Sequence, residues 1–340
     1  MRLLLFAAIG LLSACAPAQL PSQSPLPDVV AEVAVPTDPA RIRVVVMGDQ
    51  GTGTEEQHRV AAAMAGICAT DGCDLGVGLG DNFYPAGPRN PASPLFRERF
   101  ADVYGPLKVP FLMVPGNHDE SWVRGGDGAD PRGAEAQVAY SRINPQWVMP
   151  ARTYRAPQGS LLEFFAVDTA PLAAYLPGVR VNERPGGVWD RAQRAWLSEA
   201  LTRSGARWKL VLGHHPLFSN GRHGNAGTYD NLPLTFQRGG AVRELYRVAC
   251  SRADLLLAGH EHALQLFAPQ PECPGTWTVV SGAAGKAYGG RVGTRLAAFE
   301  TYKVPGFVWL DVRPDTLTVR FYTVPETGVT TLVHTQTLRK

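Results

Sequence analysis

Short apolar runs, each closed by glycine or proline and followed at once by a polar cluster, set the pattern of this chain. Residues 42–47, 75–79, 109–114, 208–212 and 254–258 are such runs. Runs of this length with these boundaries read as buried strands. Their near-continuous apolar character suits sheets covered on both faces. Stretches 54–69, 95–104, 190–204 and 240–251 read as covering helices, and 306–312, 316–323 and 330–338 as further strands. Ligands of open α/β sheets gather beyond the carboxyl ends of the strands. The five polar clusters are therefore expected to converge on one edge. The glycine that opens each cluster lets the backbone turn sharply and approach closely.

The clusters carry Asp49, Asp81 with Tyr84, Asn117 with His118, His214 with His215, and His260, Glu261 and His262. Alone, Asp49 or Asp81 reads as a turn or cap residue. Together, carboxylate, imidazole, amide and phenol form a nitrogen and oxygen ligand set suited to iron, manganese or zinc. A carboxylate can bridge two ions, and Asp81 is the natural candidate. Two ions about 3.5–4 Å apart can clamp a phosphate and generate hydroxide for in-line displacement.

The motif series resembles the purple acid phosphatases of the metallophosphoesterase superfamily, above all the small tartrate-resistant acid phosphatase type. The resemblance extends through residues 139–143 with Trp147, 165–169, Trp196-Leu197, 281–283 and 306–308, and covers roughly 41–340. It implies an α/β metallophosphoesterase-type four-layer fold, with two packed mixed β-sheets flanked by helices. It implies that Asp49, Tyr84 and His262 bind Fe(III), that Asn117, His214 and His260 bind a divalent ion (Fe, Zn or Mn), and that Asp81 bridges them. His118 and His223 then face the substrate as catalytic groups. Many related phosphoesterases open with Asp-x-His, whereas Asp49-Gln50-Gly51 lacks that histidine, and Tyr84 takes its place. A phenolate prefers a hard trivalent ion. The expected reaction is hydrolysis of a phosphate monoester by metal-bound hydroxide at acidic pH. Alternatives are a phosphodiesterase or nucleotide phosphate hydrolase on the same site, and a catalytically silent metal-binding envelope lipoprotein.

His215 reads as a structural or rim residue, and Glu261 as a loop or supporting group. Lys286 and Arg291, in a Gly-rich loop, read as solvated surface rather than phosphate contacts. His58 and His334 lie outside any motif. The segments 120–133 and 169–188 are irregular, depart from the small animal-type enzymes, and are expected to rim the site.

The amino terminus adds a cellular address. Arg2 followed by the apolar stretch 3–12 reads as an export signal, too short to remain as a membrane span. Residues 12–15, ending in Cys15, resemble a bacterial lipobox. The expectation is a signal peptide over 1–14, a lipid on Cys15 and a Pro-rich tether over 15–40. A single domain then fills 41–340. The protein is expected in the bacterial cell envelope, on the outer membrane facing the periplasm, as a monomer held to the membrane by its lipid. Cys68, Cys73, Cys250 and Cys273 remain, an even number suited to an oxidising compartment. Three pairings are possible, and local closure favours Cys68–Cys73 and Cys250–Cys273. A formal net charge of +3 gives no nucleic-acid footprint.

Overall fold

The computed structural model describes residues 26–33, 40–121, 125–174 and 181–340. The expected signal peptide, Cys15 and most of the tether lie outside them. Among the described residues no helix is long and apolar enough to cross a membrane.

Two seven-stranded sheets pack face to face. The first holds β1 (Ile42–Met47), β2 (Leu75–Leu79), β3 (Phe111–Val114), β4 (Trp147–Val148), β12 (Gly306–Val312), β13 (Thr316–Thr323) and β14 (Thr331–Arg339). The second holds β5 (Tyr154–Gln158), β6 (Leu162–Ala166), β7 (Trp208–Leu212), β8 (Leu255–Ala258), β9 (Ala263–Phe267), β10 (Trp277–Ser281) and β11 (Phe299–Tyr302). β1, β2 and β3 run parallel, as do β6, β7, β8 and β10, while β12 to β14 form an antiparallel meander joined to β1. Every residue of β2, β3, β6 and β8 is buried, as the unbroken apolar runs of β2, β3 and β8 require, while Glu163 within β6 pairs with Arg155 at 3.1 Å. A shared core between the sheets includes Val44, Val77, Phe164, Leu210, Leu257 and Trp309.

Helices Glu55–Asp71, Val188–Arg203 and Gly240–Arg247 form where the sequence placed them. The helix expected over 95–104 forms as well, its middle turn Arg97–Ala101 widened to π geometry before Asp102–Tyr104. β3 starts at Phe111 rather than 109, since Pro110 has no amide hydrogen to donate to a ladder. Its carbonyl still accepts from the Gly76 amide at 2.8 Å.

The disulfides Cys68–Cys73 and Cys250–Cys273 both form. Residues 26–33, part of the stretch read as a tether, lie against β5. Ala31 donates to the Arg155 carbonyl at 2.8 Å, and Asp28 pairs with the Arg155 guanidinium at 3.0 Å.

Candidate metal centre

The strand ends that carry the polar clusters do not share one sheet edge. β1, β2 and β3 deliver Asp49, Asp81 and Asn117 from one sheet, while β7 and β8 deliver His214 and His260 from the other. The cluster therefore forms across the gap between two sheets, because two packed sheets bring their carboxyl edges together.

Tight backbone turns aim the candidate ligands. Asp49, Asp81 and His260 all sit at positive φ, at 58°, 51° and 66°. Such a conformation in three non-glycine residues costs free energy and marks a functional constraint. It places the left-handed turn on the candidate ligand itself, and before Asp81 on Gly80 as well, at φ 85°. The glycine that opens a cluster also serves close approach: a Cβ on Gly116 would lie 2.2 Å from the Asp81 amide nitrogen.

The predicted residues gather into two adjoining groups. In one, the Tyr84 hydroxyl lies 3.0 Å from Asp49 Oδ1 and 2.9 Å from Asp81 Oδ2. His262 joins them, with Nε2 3.9 Å from Asp49 Oδ1. Its Nδ1 lies 3.1 Å from the Lys286 carbonyl, which fixes the proton there and leaves Nε2 as the free lone pair. In the other group, Asn117 Oδ1 meets His214 Nε2 at 2.8 Å and His260 Nδ1 at 3.0 Å. His214 Nδ1 donates to the Leu79 carbonyl at 2.8 Å. The Asn117 amide nitrogen donates to the Gly126 carbonyl at 2.9 Å, so the 120–133 segment reaches the site and turns Oδ1 inward. Asp81 stands between the groups: Oδ2 faces Tyr84, and Oδ1 lies 3.4 Å from His214 Nε2.

These contacts fit cations. Burial pushes His214 and His260 toward the neutral form, and His262 down to about 3. The lone pair of neutral His214 Nε2 then faces the lone pairs of Asn117 Oδ1, acceptor against acceptor. A positive ion between them removes that conflict. Burial raises Asp49 well above the usual carboxylate range, and the charge of Asp81 adds to it. Burial also acts on Asp81, but His214 and His118 outweigh it and hold that carboxyl at about 2. Burial, then Asp49 and Asp81, raise the Tyr84 phenol well above its ordinary value. Three acidic oxygens crowded in a dry site want either a proton or a metal, and the Tyr84 proton is the one a metal would displace.

His118 and His223 flank the cluster. The His118 ring lies 4.4 Å from that of Tyr84, with Nδ1 2.8 Å from the Pro85 carbonyl, which leaves Nε2 open. His223 Nδ1 lies 2.7 Å from Asp230 Oδ1, and Nε2 lies 3.2 Å from the Tyr288 hydroxyl. Burial would lower the His223 pKa, but Asp230 outweighs it and the net shift is upward. Glu261 is buried, and its Oε2 accepts from the His223 amide at 2.8 Å and from Ser219 Oγ at 3.2 Å. It joins the His223 loop to the motif of His260 and His262, a supporting role. His215 is buried, its Nδ1 2.9 Å from Thr169 Oγ1.

Lys286 departs from the surface position expected of it. Its Nζ stands 4.7 Å above the Tyr84 ring. Arg291 does lie outside, paired with Glu300 at 3.0 Å. Asp230, Tyr288 and Asp119 were missed in the sequence. Asp119 accepts from the amides of Asn82, Phe83 and Gly116 and ties the Asp81 loop to the Asn117 loop. Its place in the third motif was the available signal. Asp230 and Tyr288 sit in loops without a pattern, and only folding brings them to His223.

Known proteins are similar to this chain. The chain is 29% identical to tartrate-resistant acid phosphatase type 5 of Sus scrofa over 66% of its own length and 65% of that protein. It is 30% identical to the Homo sapiens protein of the same name, over 71% of this chain and 72% of that one. The purple acid phosphatase PPD1 from yellow lupin seeds superposes with a TM-score of 0.65 at 17% identity, covering 90% of this chain and 55% of that one, and so shares the fold. Residues 42–264 match the calcineurin-like phosphoesterase model, a stretch that spans all five motifs, and the chain therefore belongs to the calcineurin-like phosphoesterase family.

Proposed function

We propose that the chain is a two-metal acid phosphatase that hydrolyses phosphate monoesters. The single observation that supports this most is the split of Asp81, one oxygen toward Tyr84 and the other toward His214, as a carboxylate shared by two ions requires. Asp49, Tyr84 and His262 would hold Fe(III), and Asn117, His214 and His260 a divalent Fe, Zn or Mn ion. Two bound cations supply Lewis-acid charge and acidify water near neutral pH or below.

The remaining work falls to this chain's own groups. Deep burial of the ligand groups keeps bulk water from competing and strengthens every charge interaction there. His118 has Nδ1 committed to Pro85, so Nε2 is the atom that meets a phosphate oxygen. His223, its proton affinity raised by Asp230, holds the proton destined for the leaving alkoxide. Tyr288 lies within reach of its Nε2 and sets the ring's tilt. Export and lipid attachment at Cys15 complete the proposal, and intact mass of the amino-terminal peptide tests them.

Metal analysis and a visible spectrum of the purified protein, compared with Tyr84→Phe, test the centre. A violet charge-transfer band lost in the variant is expected. A colourless, iron-free and active enzyme would overturn the iron assignment. Turnover of a monoester against a diester tests the reaction: faster diester hydrolysis refutes monoester selectivity, and a protein that holds both metals yet cleaves no ester is the silent binder.

A further inference from the structure

A cleft of 1020 Å³ opens beside Tyr84 and Lys286 and extends past Thr52 to Arg59 and Arg99. Arg59 projects from the helix Glu55–Asp71 and Arg99 from the turn Arg97–Ala101. The Nε of each guanidinium is buried without a hydrogen-bond partner. Neither side chain forms an ion pair or hydrogen bond among the described residues. Three carboxylates also line the cleft. Glu55 and Glu326 are exposed, where water and salt screen them. Glu56 lies near Arg59 and is a Coulombic neighbour of it, but its carboxylate accepts from the Ala287 amide and makes no ion pair with the guanidinium among the described residues.

An unpartnered guanidinium in a partly dry wall is costly unless an anion arrives. Its planar fork matches the oxygens of a phosphate in a two-point contact. The cleft shares Tyr84 with the candidate metal-ligand group, and Lys286, whose Nζ stands 4.7 Å above the Tyr84 ring, lines it together with the two arginines. We propose that this cleft is a subsite for a second phosphate on the leaving group, so that the preferred substrates are bisphosphorylated. Lys286 stands between the two anionic positions, and Arg59 and Arg99 hold the outer one. The inference rests on the phosphatase reading and narrows it to a substrate class.

The test uses the purified, metal-loaded chain with a hexose monophosphate and the matching hexose bisphosphate. The expected wild-type preference in kcat/KM for the bisphosphate is about tenfold or more, the worth of one good charge-assisted contact. Arg59→Gln with Arg99→Gln should reduce that ratio about tenfold, mainly through KM. Arg97→Gln, an exposed change on the same turn, should leave the ratio intact. Calorimetric titration with a methylene bisphosphonate should show the same loss of affinity in the double variant. An unchanged ratio and unchanged affinity in a double variant that melts like wild type would overturn the subsite. Should the double variant fail to fold, Arg59→Lys and Arg59→Gln decide: retention of the preference by Lys and loss by Gln supports it, and equal behaviour overturns it. If wild type cleaves neither ester, the phosphatase reading fails, and the titration alone then decides the subsite.

Discussion

Replacing Arg152 by methionine removes the charge at the centre of a buried network while keeping most of the volume. Arg152 Nε lies 2.8 Å from Asp168 Oδ2, and the side chains are 10% and 0% exposed. Its Nη2 pairs with Glu183 at 2.9 Å, and Glu120 and Glu135 lie at 3.5 and 3.6 Å. Burial would lower the guanidinium's proton affinity, but Asp168, Glu120 and Glu183 raise it well above the ordinary value. Taking away one partner of such a buried set costs about 3–5 kcal/mol, because the remaining carboxylates keep their desolvation penalty. With an unfolding entropy of about 2 cal/mol/K per residue over roughly 300 residues, Tm should fall by about 5–8 °C. Removing Asp168 and Glu120 charge as well, by Asp168→Asn and Glu120→Gln, should recover about half of that loss or more, since neutral amides need no counter-ion. Calorimetric melts near neutral pH measure both. A single variant that melts within about 1 °C of wild type, or a triple variant as unstable as the sum of its parts, would refute the assignment of the network as charge-compensated.

Gly116→Ala should cost more than about 2 kcal/mol and lower metal content, because the added Cβ would lie 2.2 Å from the Asp81 amide and 2.3 Å from Asp81 Oδ1; denaturant unfolding and metal analysis check it. Asp230→Asn should reduce kcat about 10- to 100-fold at unchanged metal content, as for a residue that orients another's ring; a wild-type kcat would remove Asp230 from the site. Asp28 provides a pH test. Burial opposes its ionisation, but Arg155, Trp196 and Arg203 outweigh that and lower its pKa below 3.8. A carboxyl lowered on folding contributes stability above its unfolded pKa and loses it as pH falls through the folded value. Stability should therefore fall faster below about pH 4 in wild type than in Asp28→Asn, as acid unfolding curves will show.

By itself the sequence determined the strands and the types of the candidate ligands. Unbroken apolar runs such as 75–79 and 255–258, bounded by turn residues, suit strands buried on both faces, and β2 and β8 fall on those residues. The polar clusters lie at strand ends because a buried strand carries a polar side chain only where it finds a partner, as Glu163 does with Arg155. Local closure likewise favoured Cys68–Cys73, since five residues of separation leave little freedom. The division of the clusters between two sheets was decided only by tertiary packing, for periodicity records which face is buried and not which sheet a strand joins. The same holds for Lys286 above Tyr84, Asp230 against His223 and the docking of residues 26–33 on β5. Each depends on contacts between segments far apart in the chain. Local propensity carries no term for such contacts, so the candidate ligands were legible in the sequence while the groups that orient them were not.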